Sequence, residues 1–168
     1  MTMPERPESA NETAGVIAPP PLLALAVVVF GILLDHILPA YVLALLLSMT
    51  MRIVIALLVL GAGCFLGVSA VNAFRMAATP VEPWKPTTAI VTHGIFESLR
   101  NPMYVGGLLI LAGLAILLAS DWTLVLTIVL APVLHYGVVL REERYLAAKF
   151  GAPYRAYLTT VPRYGWPF

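Results

Sequence analysis

A cluster of polar and aromatic residues in the stretch 87–104 carries groups that could bind a charged ligand. Pro102 suits the first turn of a helix, where its missing N–H does no harm, and the free N–H groups at that end attract anions. Arg100 adds a planar guanidinium that can hold a carboxylate or a phosphate. Arg100 and Tyr104 would equally suit simple anchoring at a membrane interface. The cluster therefore predicts either an anion-binding corner or an interfacial anchor.

A second cluster surrounds two adjacent carboxylates, Glu142 and Glu143, which follow the last apolar run of the chain. Successive residues of a helix point about 100° apart, so we expect one carboxylate to face inward and the other to face water or a basic neighbour. His135 precedes Glu142 by seven residues, two helical turns, which places both on one face and favours Glu142 as the inward residue. Pro132 is expected to bend this helix and open a cavity.

The end of the chain is predicted to cover this cavity. Gly151 ends the helix that carries the two carboxylates, and Pro153 prevents its continuation. The residues that follow form an amphipathic tail, with Tyr154 and Tyr157, that suits the surface of a membrane. Such a tail is expected to lie over a pocket between the two clusters.

The amino-acid composition indicates what kind of protein contains these residues. Of the 168 residues, 60% are hydrophobic and 11% are charged, against roughly 25% charged in an ordinary soluble domain. This excludes a soluble globule, and ten basic against nine acidic residues argue against a nucleic-acid-binding protein. The single cysteine, Cys64, permits no intramolecular disulfide. No set of metal-ligating residues has a suitable spacing, so no metal ion is expected.

Four apolar runs are candidates for membrane-spanning helices, since a helix needs about 20 apolar residues to cross a hydrocarbon core of roughly 30 Å. The runs are Leu22 to Leu38, Ile53 to Phe74, Met103 to Ala119 and Trp122 to Leu140. A connector, 40–51, either lies in the interface or extends a span. The sequence thus predicts an all-α polytopic membrane bundle of about four transmembrane helices with an amphipathic tail.

Charge and turn signals predict the topology of this bundle. Ser120 and Asp121 suit a tight turn that caps the fourth span, which forces an antiparallel hairpin. Most basic residues fall between the second and third spans or after the fourth, on the same face as the N-terminus. The positive-inside rule then makes that face, and both termini, cytoplasmic. Residues 1–20 are predicted to be a disordered lead-in to a single domain, 21–168.

Small and polar residues inside the first two spans have mostly structural interpretations. Gly63 and Gly67 form a GxxxG pair that allows close helix packing, and a homo-oligomer could use the same face. Asp35 and His36 lie near the end of the first span and can reach interfacial water. Asn72 is expected to face the bundle interior.

The two clusters together resemble a known superfamily of enzymes. The motifs are Gly94-x-Phe96-x-x-x-Arg100-Asn101-Pro102-x-Tyr104 and Glu142-Glu143 followed by Phe150-Gly151-x-x-Tyr154. They resemble those of the isoprenylcysteine carboxyl methyltransferases and phospholipid methyltransferases, which are integral membrane enzymes. The resemblance covers about residues 83–162, the half that would bind the cofactor.

The resemblance implies S-adenosylmethionine as cofactor and a lipophilic or membrane-delivered acceptor. Arg100 and Glu142 would take the catalytic positions. The implied cofactor contacts are Thr88, Ala89, Ile90, Val91, Phe96, Asn101, Pro102, Met103, Tyr104 and Glu142. A sulfonium cofactor carries its own reactive methyl group, which agrees with the expectation of no metal.

Three positions depart from the isoprenylcysteine pattern. Thr88 stands where a histidine is usual, Phe96 where a tyrosine is usual, and Val138 where an arginine is associated with the prenylated substrate. Thiol, carboxylate, amine and phospholipid headgroup acceptors all stay open. Two alternatives are a sterol-reductase-like oxidoreductase that uses NADPH and a non-catalytic membrane protein of the same fold.

Overall fold

The computed structural model describes residues 13–165, which form helices and loops and contain no β-strand. The described α-helices are α1 (Pro20–Ile37), α2 (Val42–Leu46), α3 (Met49–Met76), α4 (Pro102–Leu118), α5 (Asp121–Leu134), α6 (Leu140–Phe150) and α7 (Ala152–Thr160). A 3-10 turn, Gly94–Glu97, precedes α4, and a π-helical turn, His135–Val139, joins α5 to α6 as one continuous helix. Of the predicted disordered lead-in, residues 1–12 lie outside the described part of the chain.

The long apolar helices explain why the chain suits a membrane. Three are long and apolar enough to cross one: α1, α3 and the continuous helix Asp121–Phe150. The apolar α4 is slightly shorter, with 17 residues. Large apolar side chains such as Leu58 and Phe65 are exposed on the outside of the bundle, as expected for contact with lipid. The prediction of an all-α membrane bundle with about four spans is confirmed.

The connector 40–51 is not a separate span. Its helix, α2, has five residues and a length of about 7.5 Å, far short of a hydrocarbon core of roughly 30 Å. The connector from Met49 onward belongs to α3. Asp121 accepts hydrogen bonds of 2.8 Å from the backbone N–H groups of the first two residues of α2. This carboxylate holds the connector against the start of α5.

The turn between α4 and α5 is fixed by side-chain oxygens. Ser120 caps α5 by accepting a hydrogen bond of 3.2 Å from the Thr123 backbone N–H, as its position before the helix predicts. Asp35 of α1 accepts hydrogen bonds from the Trp122 backbone N–H, at 3.2 Å, and from the Ser120 hydroxyl. Asp35 therefore joins α1 to this turn and has a structural role.

Glycines allow α3 and α4 to approach closely. A Cβ on Gly63 would lie 2.8 Å from the carbonyl oxygen of Gly106, and a Cβ on Gly106 would lie 2.8 Å from the carbonyl oxygen of Gly63. The prediction that Gly63 belongs to a packing face is confirmed, with α4 of the same chain as its partner. A Cβ on Gly67 would meet nothing within 4 Å, so a homo-oligomer contact at Gly67 stays a prediction.

A methyl group at Gly106 is expected to separate these helices. Gly106→Ala should lower the free energy of unfolding by about 1–3 kcal/mol, the usual cost of overpacking, because the obstructing atoms are backbone atoms that cannot rotate away. Gly61→Ala is the matched control in α3, since its Cβ would meet nothing within 4 Å. Thermal unfolding in detergent should separate the two variants. Equal stability would contradict the close contact.

Candidate functional site

One end of the bundle contains a cavity of about 410 Å³, a volume typical of small-molecule sites. The start of α1, the end of α3, the loop that follows it and the start of α4 contribute to its wall. The α5–α6 helix and α7 complete the wall. The deeper part is lined by aliphatic side chains, namely Leu108, Leu111, Leu130 and Leu134. The charged groups are Glu142 and Glu143 on α6, Arg100 just before α4 and Glu82 in the loop after α3.

The structure brings together nine of the ten cofactor-contact residues implied by the resemblance. Those that line the cavity are Ala89, Ile90, Val91, Phe96, Asn101, Pro102, Met103, Tyr104 and Glu142, and Arg100 lies among them. Thr88 does not line it, so its implied cofactor contact stays a prediction. Its backbone N–H donates to Thr79 Oγ1 at 2.9 Å and its hydroxyl donates to the Ala78 carbonyl at 3.3 Å. These bonds hold Thr88 on the exposed side, and Thr87 lines the cavity beside it.

Tyr104 and Glu142 form a direct bond across the cavity wall. The Tyr104 hydroxyl donates to Glu142 Oε2 at 2.6 Å, which links the first turn of α4 to the first turn of α6. The other carboxylate oxygen, Oε1, has no hydrogen-bond partner among the described residues. Glu142 is therefore oriented by Tyr104 and keeps one oxygen to accept a hydrogen bond from a ligand.

Glu143 is the centre of a buried ion network. Its Oε1 lies 2.9 Å from Arg100 Nη1 and 2.9 Å from Arg163 Nε, and its Oε2 lies 2.7 Å from Arg163 Nη2. The prediction that only one carboxylate faces inward is wrong, because both line the cavity. Two arginines offset the cost of burying Glu143, which is 9% exposed. The predicted basic neighbour of this carboxylate is present.

The position of Arg100 also changes its expected role. Its Nη1 contacts Glu143, so part of the guanidinium predicted to bind an anion already has a carboxylate partner. Its Nε is buried and has no hydrogen-bond partner within residues 13–165. Arg100 is thus part of the cavity wall and holds Glu143 in place.

The chain after α6 covers the cavity, as predicted for the amphipathic tail. Tyr154 and Tyr157 of α7 line it, and the Tyr157 hydroxyl donates to the Phe96 carbonyl at 2.7 Å. Burial raises the pKa of both tyrosines, so their hydroxyls remain protonated donors at neutral pH. Asn101 Nδ2 donates to the Arg163 carbonyl at 3.2 Å. The tail is therefore fixed to the start of α4.

Phe96 is also part of a small core beneath the site. Its ring meets the Phe74 ring edge to face, with centroids 5.4 Å apart. Val91 and Phe96 are buried against Ala70 and Ala73 of α3. The 3-10 turn therefore places one aromatic ring between the core and the cavity, which fixes the ring without a hydrogen bond.

The prediction that His135 and Glu142 lie on the same face of one helix is wrong. The π-helical turn adds one residue to the helix between them, so the face below Glu142 is occupied by Leu134, which lines the cavity. His135 Nδ1 instead lies 2.7 Å from the Tyr164 hydroxyl. Val138 is fully buried in the core and does not line the cavity. Pro132 lies about one turn before the π-helical turn. It is the residue in the sequence that indicates an irregular helix here.

Sequence reasoning missed the contribution of α1. Pro20, Pro21 and Ala24 line the cavity, and none of them belongs to the motifs that predicted the site. Proline in the first turn is favoured because its N–H would be unpaired there. That preference marks the start of α1, but it does not indicate which other elements lie beside it.

The fold is that of an α-helical integral membrane protein with a cavity at one end of its bundle. The family model of the phospholipid methyltransferases matches residues 51–153, and the chain belongs to this family of integral membrane methyltransferases. No curated protein and no solved structure matches the chain. The family assignment confirms the resemblance and identifies a membrane methyltransferase, and it does not support the oxidoreductase alternative.

Proposed function

We propose that the protein transfers a methyl group from S-adenosylmethionine, bound in the cavity, to a lipophilic acceptor delivered by the membrane. The observation that carries this proposal is the convergence of residues from both sequence clusters on one cavity, most of whose lining residues lie in the region matched by the family. The motifs are far apart in the chain, and the start of α4 and the start of α6 meet through the bond between Tyr104 and Glu142.

The side chains present fit the chemistry of this cofactor. The unpaired Oε1 of Glu142 can accept a charge-assisted hydrogen bond from an amino or hydroxyl group. Phe96, Tyr104 and Tyr154 line the same cavity, and aromatic faces stabilise a cation such as a sulfonium by about 0.5–2 kcal/mol. When bound, the cofactor supplies a methyl group already activated by its sulfonium.

The task of the protein is then alignment and exclusion of water. Tyr104 orients Glu142, and Glu142 would orient the cofactor. The tail from α7 onward covers the site and limits access of water. Holding two reactants in line can contribute up to roughly 7–11 kcal/mol to lowering the barrier. The apolar portion of the acceptor would contact the aliphatic side chains of the cavity, which are Leu108, Leu111, Leu130 and Leu134.

The charge distribution supports a cytoplasmic position for the cavity end. The basic residues at this end are Arg75, Lys85, Arg100, Arg141, Arg144, Lys149, Arg155 and Arg163. Arg52, near the start of α3, lies at the opposite end. Cytoplasmic loops carry an excess of Lys and Arg, so we place the cavity and both termini on the cytoplasmic side.

Titration calorimetry in detergent with S-adenosylmethionine and its demethylated product tests the cofactor. Saturable binding by the folded protein is expected, and no binding of either molecule would contradict the proposal. Tighter binding of NADPH would favour the oxidoreductase. Incubation with methyl-labelled cofactor and membrane extract, followed by mass spectrometry of labelled lipids and small molecules, would then identify the acceptor.

A further inference from the structure

The residues before α1 are attached to the helix that carries Glu142. The Ile17 backbone N–H donates to the Gly137 carbonyl at 3.2 Å, and the Gly15 carbonyl accepts from Arg141 Nη1 at 2.9 Å. Val16, between them, packs on the core cluster that contains Leu134 and Val138. We call residues 13–19 the N-terminal strap. It lies against the α5–α6 helix on either side of the π-helical turn.

The π-helical turn determines which side of α6 faces the cavity. One residue corresponds to a rotation of about 100° in a helix, so loss of the extra residue would rotate α6 relative to α5. Glu142 follows this turn by three residues and would then leave its position opposite Tyr104. Turns of this kind are rare, occur mostly as single turns inside α-helices and are frequent at functional sites.

The strap meets this turn at Gly137, where an added Cβ would clash with the Ile17 side chain. A Cβ on Gly137 would lie 2.8 Å from Ile17 Cγ1, and still nearer to Ile17 Cδ1. The Ile17 side chain therefore fills the space that a larger residue at 137 would occupy. The chain continues from the strap directly into Pro20 and Pro21, which line the cavity.

We infer that the N-terminal strap, through Ile17 and Gly137, holds the π-helical turn in register and thereby positions Glu142 in the cavity. Ile17 and Gly137 are positioning residues, since neither lines the cavity. The inference rests on the proposed function for its effect on cofactor binding, and it makes a separate prediction for the backbone of α6.

The test uses the full chain in detergent and a pair of compensating substitutions. Gly137→Val should displace Ile17 and raise the rate of hydrogen exchange in residues 13–19 and 140–146. It should also weaken S-adenosylhomocysteine binding about tenfold or more, the effect of losing a hydrogen bond to the charged Glu142. Adding Ile17→Ala makes room for the valine. The double variant should regain the hydrogen-exchange rates and the S-adenosylhomocysteine affinity of the wild type. A variant that is only damaged structurally would not recover in this way.

Two further variants keep the test decisive. Ile17→Ala alone alters a side chain that is 51% exposed, so it should fold, and we expect faster exchange in 140–146 and weaker binding. Gly61→Ala, which meets nothing within 4 Å, is the control for a glycine replacement in an apolar helix and should match the wild type.

The outcomes separate the inference from the proposed function. If Gly137→Val releases the strap but leaves exchange in 140–146 and the affinity unchanged, the inference is overturned. It is equally overturned if the double variant fails to recover. If the wild type binds neither S-adenosylmethionine nor S-adenosylhomocysteine, the proposed function fails. The exchange pattern alone then decides whether the strap holds α6.

Discussion

Glu143→Ala is expected to lower the free energy of unfolding by about 3–5 kcal/mol, the usual cost of breaking a buried ion pair. The substitution leaves the Arg100 side chain, 11% exposed, without its carboxylate. It also releases Arg163, whose two bonds to Glu143 fix the tail to α6. In the wild type the Arg100 and Arg163 guanidinium groups share the Glu143 carboxylate. Without it, they would repel each other across the cavity wall.

Two further variants test whether this loss of stability comes from the buried charge that is left unpaired. Arg163→Ala leaves the pair between Arg100 and Glu143 intact, and the Arg163 side chain is 33% exposed, so a smaller loss of about 1 kcal/mol is expected. Combining Glu143→Ala with Arg100→Met removes the unpaired cation and should recover part of the stability. Chemical unfolding in detergent, followed by circular dichroism, measures all of these. Equal stability of Glu143→Ala and the wild type would exclude the network as a stabilising element.

The helical framework could be predicted from the sequence because a membrane imposes a simple rule. Within the hydrocarbon core, the backbone N–H and C=O groups of each apolar run must form hydrogen bonds inside the protein. A helix makes all of these hydrogen bonds within one segment. The run from Leu22 to Leu38 differs from α1 by a residue or two at each end. The connector was harder to predict, because a largely apolar stretch of 12 residues suits an interfacial segment as well as the extension of a span. The structure divides it between α2 and the start of α3.

The site could be predicted as a set of residues but not as a set of contacts. Motif positions placed Tyr104 and Glu142 in one cavity, and they are bonded to each other. The error at His135 arose because counting two turns assumes 3.6 residues per turn, and a single π-helical turn breaks that assumption. The pairing of Glu143 with Arg163 joins residues 20 positions apart. No local pattern encodes it.

Our second large expected effect concerns the affinity for the cofactor. Glu142→Gln should weaken binding of S-adenosylmethionine by about 1.5–3 kcal/mol, the value of a hydrogen bond to a charged group, which corresponds to roughly ten- to hundredfold. The glutamine amide has the same shape and its carbonyl oxygen can still accept from Tyr104. The variant therefore removes the negative charge and leaves the link between α4 and α6 in place.

Tyr104→Phe is the matched variant for the other half of this pair. It keeps the aromatic ring in the cavity and the charge on Glu142, but it removes the hydroxyl that donates to Oε2 at 2.6 Å. Because only the orientation of the carboxylate is lost, we expect a smaller decrease in affinity than for Glu142→Gln and a larger effect on the rate of methyl transfer. Calorimetry with S-adenosylmethionine and single-turnover transfer of a labelled methyl group measure the two quantities separately. Unchanged affinity in Glu142→Gln would remove Glu142 from the cofactor site, whatever the result for Tyr104.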